Sequence, residues 1–204
     1  MLQSLNRLKE SPSQTAGPYV HIGATPNASG IAGVYPEDLG RSLVNAKTQG
    51  TRVVLTGRIF DGTGSVITDA LIEIWQADAV GVYPGRPGAD PNFTGWGRQG
   101  VDADTGLYRF ETIKPGRVPF PDGRPMAPHV TFWIAARGIN TGLHTRLYFG
   151  DEDEANTADP VLARVEHKRR IQTLSAARSD AAGVATYTFD IYLQGERETV
   201  FLDI

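Results

Sequence analysis

From residue 52 onward, hydrophobic and polar positions alternate in short runs, the period-two signature of β-strands. Residues 52–60 predict a strand that ends in the turn Asp61-Gly62-Thr63-Gly64. In the next run, residues 70–76, Leu71, Glu73 and Trp75 share one face while Ile72, Ile74 and Gln76 share the other. Further strands are expected at 107–113, 129–136, 144–149, 185–193 and 199–204, with turn chemistry at Asp104-Thr105-Gly106 and Asp180-Ala181-Ala182-Gly183. Many short strands with little helix between them predict an all-β fold, an antiparallel β-sandwich. One short helical segment is expected, with Asp159 as N-cap, Pro160 in the first turn, and Val161, Leu162 and Val165 as a partial apolar face. Lys168-Arg169-Arg170 is expected to close it, where positive charge complements the helix dipole.

Residues 1–50 carry no comparable periodicity. Pro and Gly spacing marks them as a long irregular N-terminal arm on a single domain, 1–204, whose sandwich core is 51–204. An arm without its own core needs a surface to lie against.

Composition narrows the function. Hydrophobic residues are 40% of 204 and charged residues 21%, enough to bury a core. A net charge of −3 argues against nucleic acid or an anionic membrane as the main partner. Cysteine is absent, which removes disulfides, thiolate metal sites and cysteine nucleophiles. No apolar run approaches the ~18 residues of a membrane span, and residues 1–10 lack a secretory apolar core, so a cytoplasmic location is expected. The acidic run Asp151-Glu152-Asp153-Glu154 reads as a solvated loop or helix start, because it lacks the glycine and spacing of a calcium loop.

The histidines are His21, His129, His144 and His167. No pair has the spacing that aims two imidazoles at one metal from a strand or a helix. Nucleophile-elbow, phosphate-loop and dinucleotide motifs are also missing.

Several segments, however, form an ordered set. Leu71-Ile72-Glu73-Ile74-Trp75-Gln76-Ala77-Asp78 is followed by Gly81-Val82-Tyr83, Asp90-Pro91-Asn92-Phe93, Gly97-Arg98, Thr112-Ile113-Lys114-Pro115-Gly116 and Ala127-Pro128-His129. In order and spacing these resemble the intradiol ring-cleaving dioxygenases. Pro12-Ser13-Gln14-Thr15-Ala16-Gly17-Pro18-Tyr19, Ala136-Arg137-Gly138-Ile139-Asn140 and Gln194-Gly195-Glu196 extend the resemblance to the iron-free α chains of the family's two-chain, protocatechuate-cleaving branch. The resemblance implies the family's β-sandwich and a role in aromatic catabolism by the β-ketoadipate pathway.

It also implies ferric iron held by two tyrosines and two histidines. At the matching positions this chain has Tyr83 and His129, but Val118 replaces the second tyrosine and Thr131 the second histidine. Met126 stands where the family motif has arginine. Valine offers no ligand atom and threonine a poor one, so these positions are vestigial and the chain is expected to hold no metal itself. The resemblance assigns the ferric iron to a partner β subunit within a higher α/β oligomer. It also implies that Thr15, Gly17, Pro18 and Tyr19 of the arm, with Arg137, border the pocket for a catechol substrate. A guanidinium suits a ring carboxylate; the alternative is an arginine that pairs with an acid of the partner. Trp75, Trp96 and Trp133 are expected to serve packing. Two other readings stay open: a non-catalytic β-sandwich binding or assembly module, and a self-sufficient enzyme with altered ligands.

Overall fold

The computed structural model describes residues 15–140, 142–180 and 183–203. Pro12-Ser13-Gln14 of the arm motif, Ala181-Ala182 of the last turn and Ile204 lie outside the described residues. Ten strands follow in chain order: β1 Arg52–Gly57, β2 Ile59–Phe60, β3 Leu71–Trp75, β4 Trp96–Gly100, β5 Tyr108–Ile113, β6 His129–Ala135, β7 Leu143–Phe149, β8 Ser175–Ser179, β9 Ala185–Thr188 and β10 Ile191–Tyr192. Eight of them form one sheet in the order β4-β3-β6-β7-β8-β9-β1-β5, while β10 and β2 make a separate pair.

The sheet folds over on itself, so its halves face each other across one core. Ile72 and Ile74 of β3, Val130, Phe132 and Ile134 of β6, and Leu147 and Phe149 of β7 meet Val53 and Leu55 of β1, Phe110 of β5 and Tyr187 of β9. Ring contacts cross the layer: Phe132 lies edge-on to Tyr108 at 5.7 Å and to Phe189 at 5.5 Å. Tyr108, fully buried, satisfies its hydroxyl by donating to the Phe189 carbonyl. Ile72, Ile74 and Gln76 are all buried, as the alternation in 70–76 predicts, and the opposite face carries Glu73 and Trp75 toward a cavity.

The sandwich is mixed rather than antiparallel. β1 pairs with β9, β7 with β8, and β10 with β2, all in parallel. A parallel neighbour needs a crossover. Between β7 and β8 that crossover contains α-helix Asp153–Thr157 and two 3-10 segments, Leu162–Arg164 and Lys168–Leu174. The single short helix expected from Asp159 is therefore a 3-10 turn. Asp159 does accept hydrogen bonds from the Val161 and Leu162 amides, both at 2.8 Å, but it is wholly buried and its other oxygen accepts the Ala127 amide. That inward anchor holds the chain at the loop before β6, where a longer helix would carry it away. Lys168-Arg169-Arg170 opens the second 3-10 segment instead of closing a helix, so the dipole reading does not apply. Arg170 instead pairs with Glu198 at 2.8 Å.

Residues 199–203 are not a strand. They run beside β7, where Thr145 donates to the Val200 carbonyl and the Leu202 amide to that of His144, covering an edge that β8 reaches only at Tyr148 and Phe149. β4, with two glycines, and β8, built of small and polar residues, carry no strand pattern in the sequence. The arm is less irregular than its composition predicts. Pro18 starts helix Pro18–Ala24, and Asp38 ties the following loop by accepting the Asn27 and Ala28 amides at 2.8 Å each. Leu43 then enters the core of the arm's own domain.

Candidate functional site

Two groups of sequence-predicted residues come together at two separate places. The first joins the arm to the turn after β6. Thr15 accepts a hydrogen bond from the Gly138 amide at 2.8 Å, next to Arg137. His21, one helical turn into the arm, lies 3.0 Å from the carbonyl oxygen of Asp69, and the Asp69 carboxylate pairs with Arg137 Nε at 3.0 Å. The acid that Arg137 meets thus belongs to its own chain. One N–H of the guanidinium is engaged, and the side chain remains 78% exposed. Gly17 precedes the arm helix with an extended backbone (φ −131°, ψ −174°), and nothing lies within 4 Å of where its Cβ would be. Tyr19, on the first turn, is 85% exposed. The patch presents an aromatic ring and a cation outward, on backbone fixed from both sides.

The second place contains Tyr83, Val118, His129 and Thr131, the positions that the family resemblance matches to metal ligands. Tyr83 sits on a loop organised by the buried Asp78, whose carboxylate accepts the amides of Val80, Val82 and Asp90. The loop must pass tightly against the Lys114-Pro115-Gly116 turn. A Cβ on Gly81, at φ +86°, would stand 2.1 Å from the Arg117 carbonyl oxygen. Tyr83 stacks on Trp75 with ring centroids 5.8 Å apart and packs with Val118 and Met126. Burial raises its phenol pKa, and the charge of Arg146 opposes that rise.

His129 opens β6 in full burial, its Nδ1 2.8 Å from the Ala127 carbonyl oxygen and its Nε2 without a partner. Burial first, and the neighbouring Arg146 charge second, push its pKa down to about 4, so the imidazole is neutral at physiological pH. Thr131, two residues on, pairs in register with Trp75 of β3 and Arg146 of β7.

His144 and Arg146, on alternate positions of β7, have no role that the sequence suggests, yet both border this place. Arg146 Nη1 is 3.5 Å from Met126 Sδ, its side chain also hydrogen-bonds the Tyr148 hydroxyl, and its Nε is buried without a partner; among the described residues it makes no ion pair. The only signal in the sequence is its position in a strand, and nothing there gives the register that sets it beside Thr131. Trp75, Trp96 and Trp133, expected to serve packing, together wall a cavity of about 630 Å³ in front of Arg146.

These residues do not fit a ferric ion. Val118 is buried and has no donor atom, and a fixed guanidinium acts electrostatically on both Tyr83 and His129, where it opposes a trivalent cation. Among the described residues no group of three or more His, Cys, Asp or Glu side chains is placed to hold a metal.

A family model described as Dioxygenase matches residues 33–195. The chain is 44% identical over 196 residues to the protocatechuate 3,4-dioxygenase alpha chain of Pseudomonas putida, covering 96% of this chain and 97% of that one. Identity to the protocatechuate 3,4-dioxygenase beta chain of Burkholderia cepacia is 34% over 179 residues, 82% of this chain and 75% of that one. The fold matches an intradiol ring-cleavage dioxygenase from Tetranychus urticae with a TM-score of 0.59 at 21% identity, covering 91% of this chain and 94% of that chain. The chain belongs to the dioxygenase family, in its intradiol ring-cleaving branch. Within that family it stands with the protocatechuate 3,4-dioxygenase α chains. No helix among the described residues is long and apolar enough to cross a membrane.

Proposed function

We propose that this chain is the iron-free α subunit of a cytoplasmic, heteromeric protocatechuate 3,4-dioxygenase, active only with an iron-binding β subunit in a higher α/β oligomer. The assembly converts protocatechuate and dioxygen to 3-carboxy-cis,cis-muconate. The ferric iron belongs to the β subunit; this chain, a single domain with an arm over residues 1–50, supplies part of the wall of the pocket around it. Thr15, Gly17, Pro18 and Tyr19 line that wall, and Arg137 offers its free N–H groups to the ring carboxylate of the substrate.

The observation that carries this reading is the Thr15–Gly138 hydrogen bond together with the Asp69–Arg137 pair. The two segments that the family resemblance assigns to one pocket are tied to each other, and their functional side chains point outward, where a partner chain docks. Asp69 positions the guanidinium without consuming its fork.

The test is Arg137→Ala in the assembled α/β enzyme. The KM for protocatechuate rises by at least about tenfold, the loss of one charge-assisted pair, while α/β assembly and iron content hold. An unchanged KM in an intact assembly removes the pocket role.

A further inference from the structure

The cavity in front of Arg146 shares no lining residue with the Arg137 patch and has no part in the function proposed above. It measures about 630 Å³ and opens broadly to the surface. Trp75, Trp96, Trp133 and Tyr83 supply aromatic walls, and Thr131 and Arg146 form part of its polar side. The Trp75 and Tyr83 rings are within 5° of parallel, and Trp75 remains 39% exposed, a flat apolar face available for stacking.

The charges are arranged unequally. Glu73 also borders the cavity, but Arg98 holds its carboxylate at 2.6 Å and the Trp96 indole N–H donates to it at 3.3 Å. Arg146 has no such acid partner among the described residues: its neighbours are the Met126 thioether at 3.5 Å and the neutral Tyr148 hydroxyl. A guanidinium without a counter-ion thus borders an aromatic box, and the ligand that complements both features is a planar ring bearing a carboxylate.

We infer that the degenerate metal centre has become a second ligand site, for an aromatic carboxylate held by Arg146 and stacked among the tryptophans. The guanidinium stands in for the lost cation: the site keeps an affinity for anionic aromatics and has exchanged redox chemistry for binding.

Benzoate is the probe, because it carries the carboxylate and ring but no hydroxyls with which to chelate iron. Binding to the full chain assembled with its β partner is followed by tryptophan fluorescence and equilibrium dialysis. Benzoate quenches saturably; benzamide, its uncharged isostere, does not. Arg146→Met weakens benzoate binding at least about tenfold. Thr131→Trp, which fills the cavity without touching the charge, abolishes it and covers the case in which Arg146→Met fails to fold. Arg137→Ala leaves benzoate binding in place, which separates this site from the pocket proposed above. The inference is overturned if either cavity variant that folds binds benzoate like the wild type, if benzamide binds equally well, or if Arg137→Ala alone removes binding.

Discussion

Thr131 and Arg146 are direct neighbours across the β6–β7 pair, so the alcohol at a position the family resemblance matches to a histidine ligand stands beside a fixed positive charge. The missing ligands are therefore not the only obstacle to a ferric ion at these positions. Restoring them with Val118→Tyr and Thr131→His is expected to leave the chain colourless and free of iron, because Arg146 still opposes a trivalent ion. Adding Arg146→Gln to the pair brings stoichiometric iron and a visible tyrosinate charge-transfer band. Iron content and absorbance read the result; iron uptake equal with and without the Arg146 change contradicts the electrostatic argument.

His129 makes stability sensitive to mild acid. Its folded-state pKa of about 4 lies below the ordinary 6.5, so the unfolded chain takes up a proton first. Nothing is lost above pH 6.5. Stability falls as pH drops from 6.5 toward 4, by about 3 kcal/mol in total from this residue. His129→Leu flattens that limb, as urea unfolding at a series of pH values measures. A limb of the same depth in the variant assigns the acid sensitivity elsewhere.

Asp159 joins three backbone amides, those of Ala127, Val161 and Leu162, to one buried carboxylate. Asp159→Ala strands all three donors and costs roughly 3 kcal/mol or more. Asp159→Asn is expected to rescue little, because an amide turns one accepting oxygen into a donor facing N–H groups. Thermal and urea denaturation check both, and a near-neutral alanine variant refutes the anchor.

Gly81 is held at φ +86° against the Arg117 carbonyl. Gly81→Ala combines left-handed strain with a contact that backbone cannot relieve, and lowers stability by more than about 2 kcal/mol. Gly17→Ala is the contrast: its backbone is extended and its surroundings are open, so the chain's own melting temperature stays put. Differential scanning calorimetry on the two variants separates conformational need from open space.

Much of the fold is legible in the chain because alternation along a strand is a local property. The run from Leu71 to Gln76 states which residues face the core, and the structure places Ile72, Ile74 and Gln76 there. β4 escapes notice because Trp96-Gly97-Arg98-Gln99-Gly100 is held as a strand by its pairing to β3, with Arg98 opposite Glu73, and has little propensity of its own. The arm helix is signalled only by Pro18 after Gly17, a cue easily taken for a loop.

The sequence alone determined the family, the absence of half of the expected ligand set, and the identity of the arm and Arg137 motifs, since each depends on which residue occupies which position. The tertiary structure decided which charges meet: Asp69 with Arg137, Arg98 with Glu73, and Arg146 with no acid among the described residues. Strand register and parallel crossovers set those distances, and Coulomb energy depends on separation in space, which the order of residues along a chain does not specify.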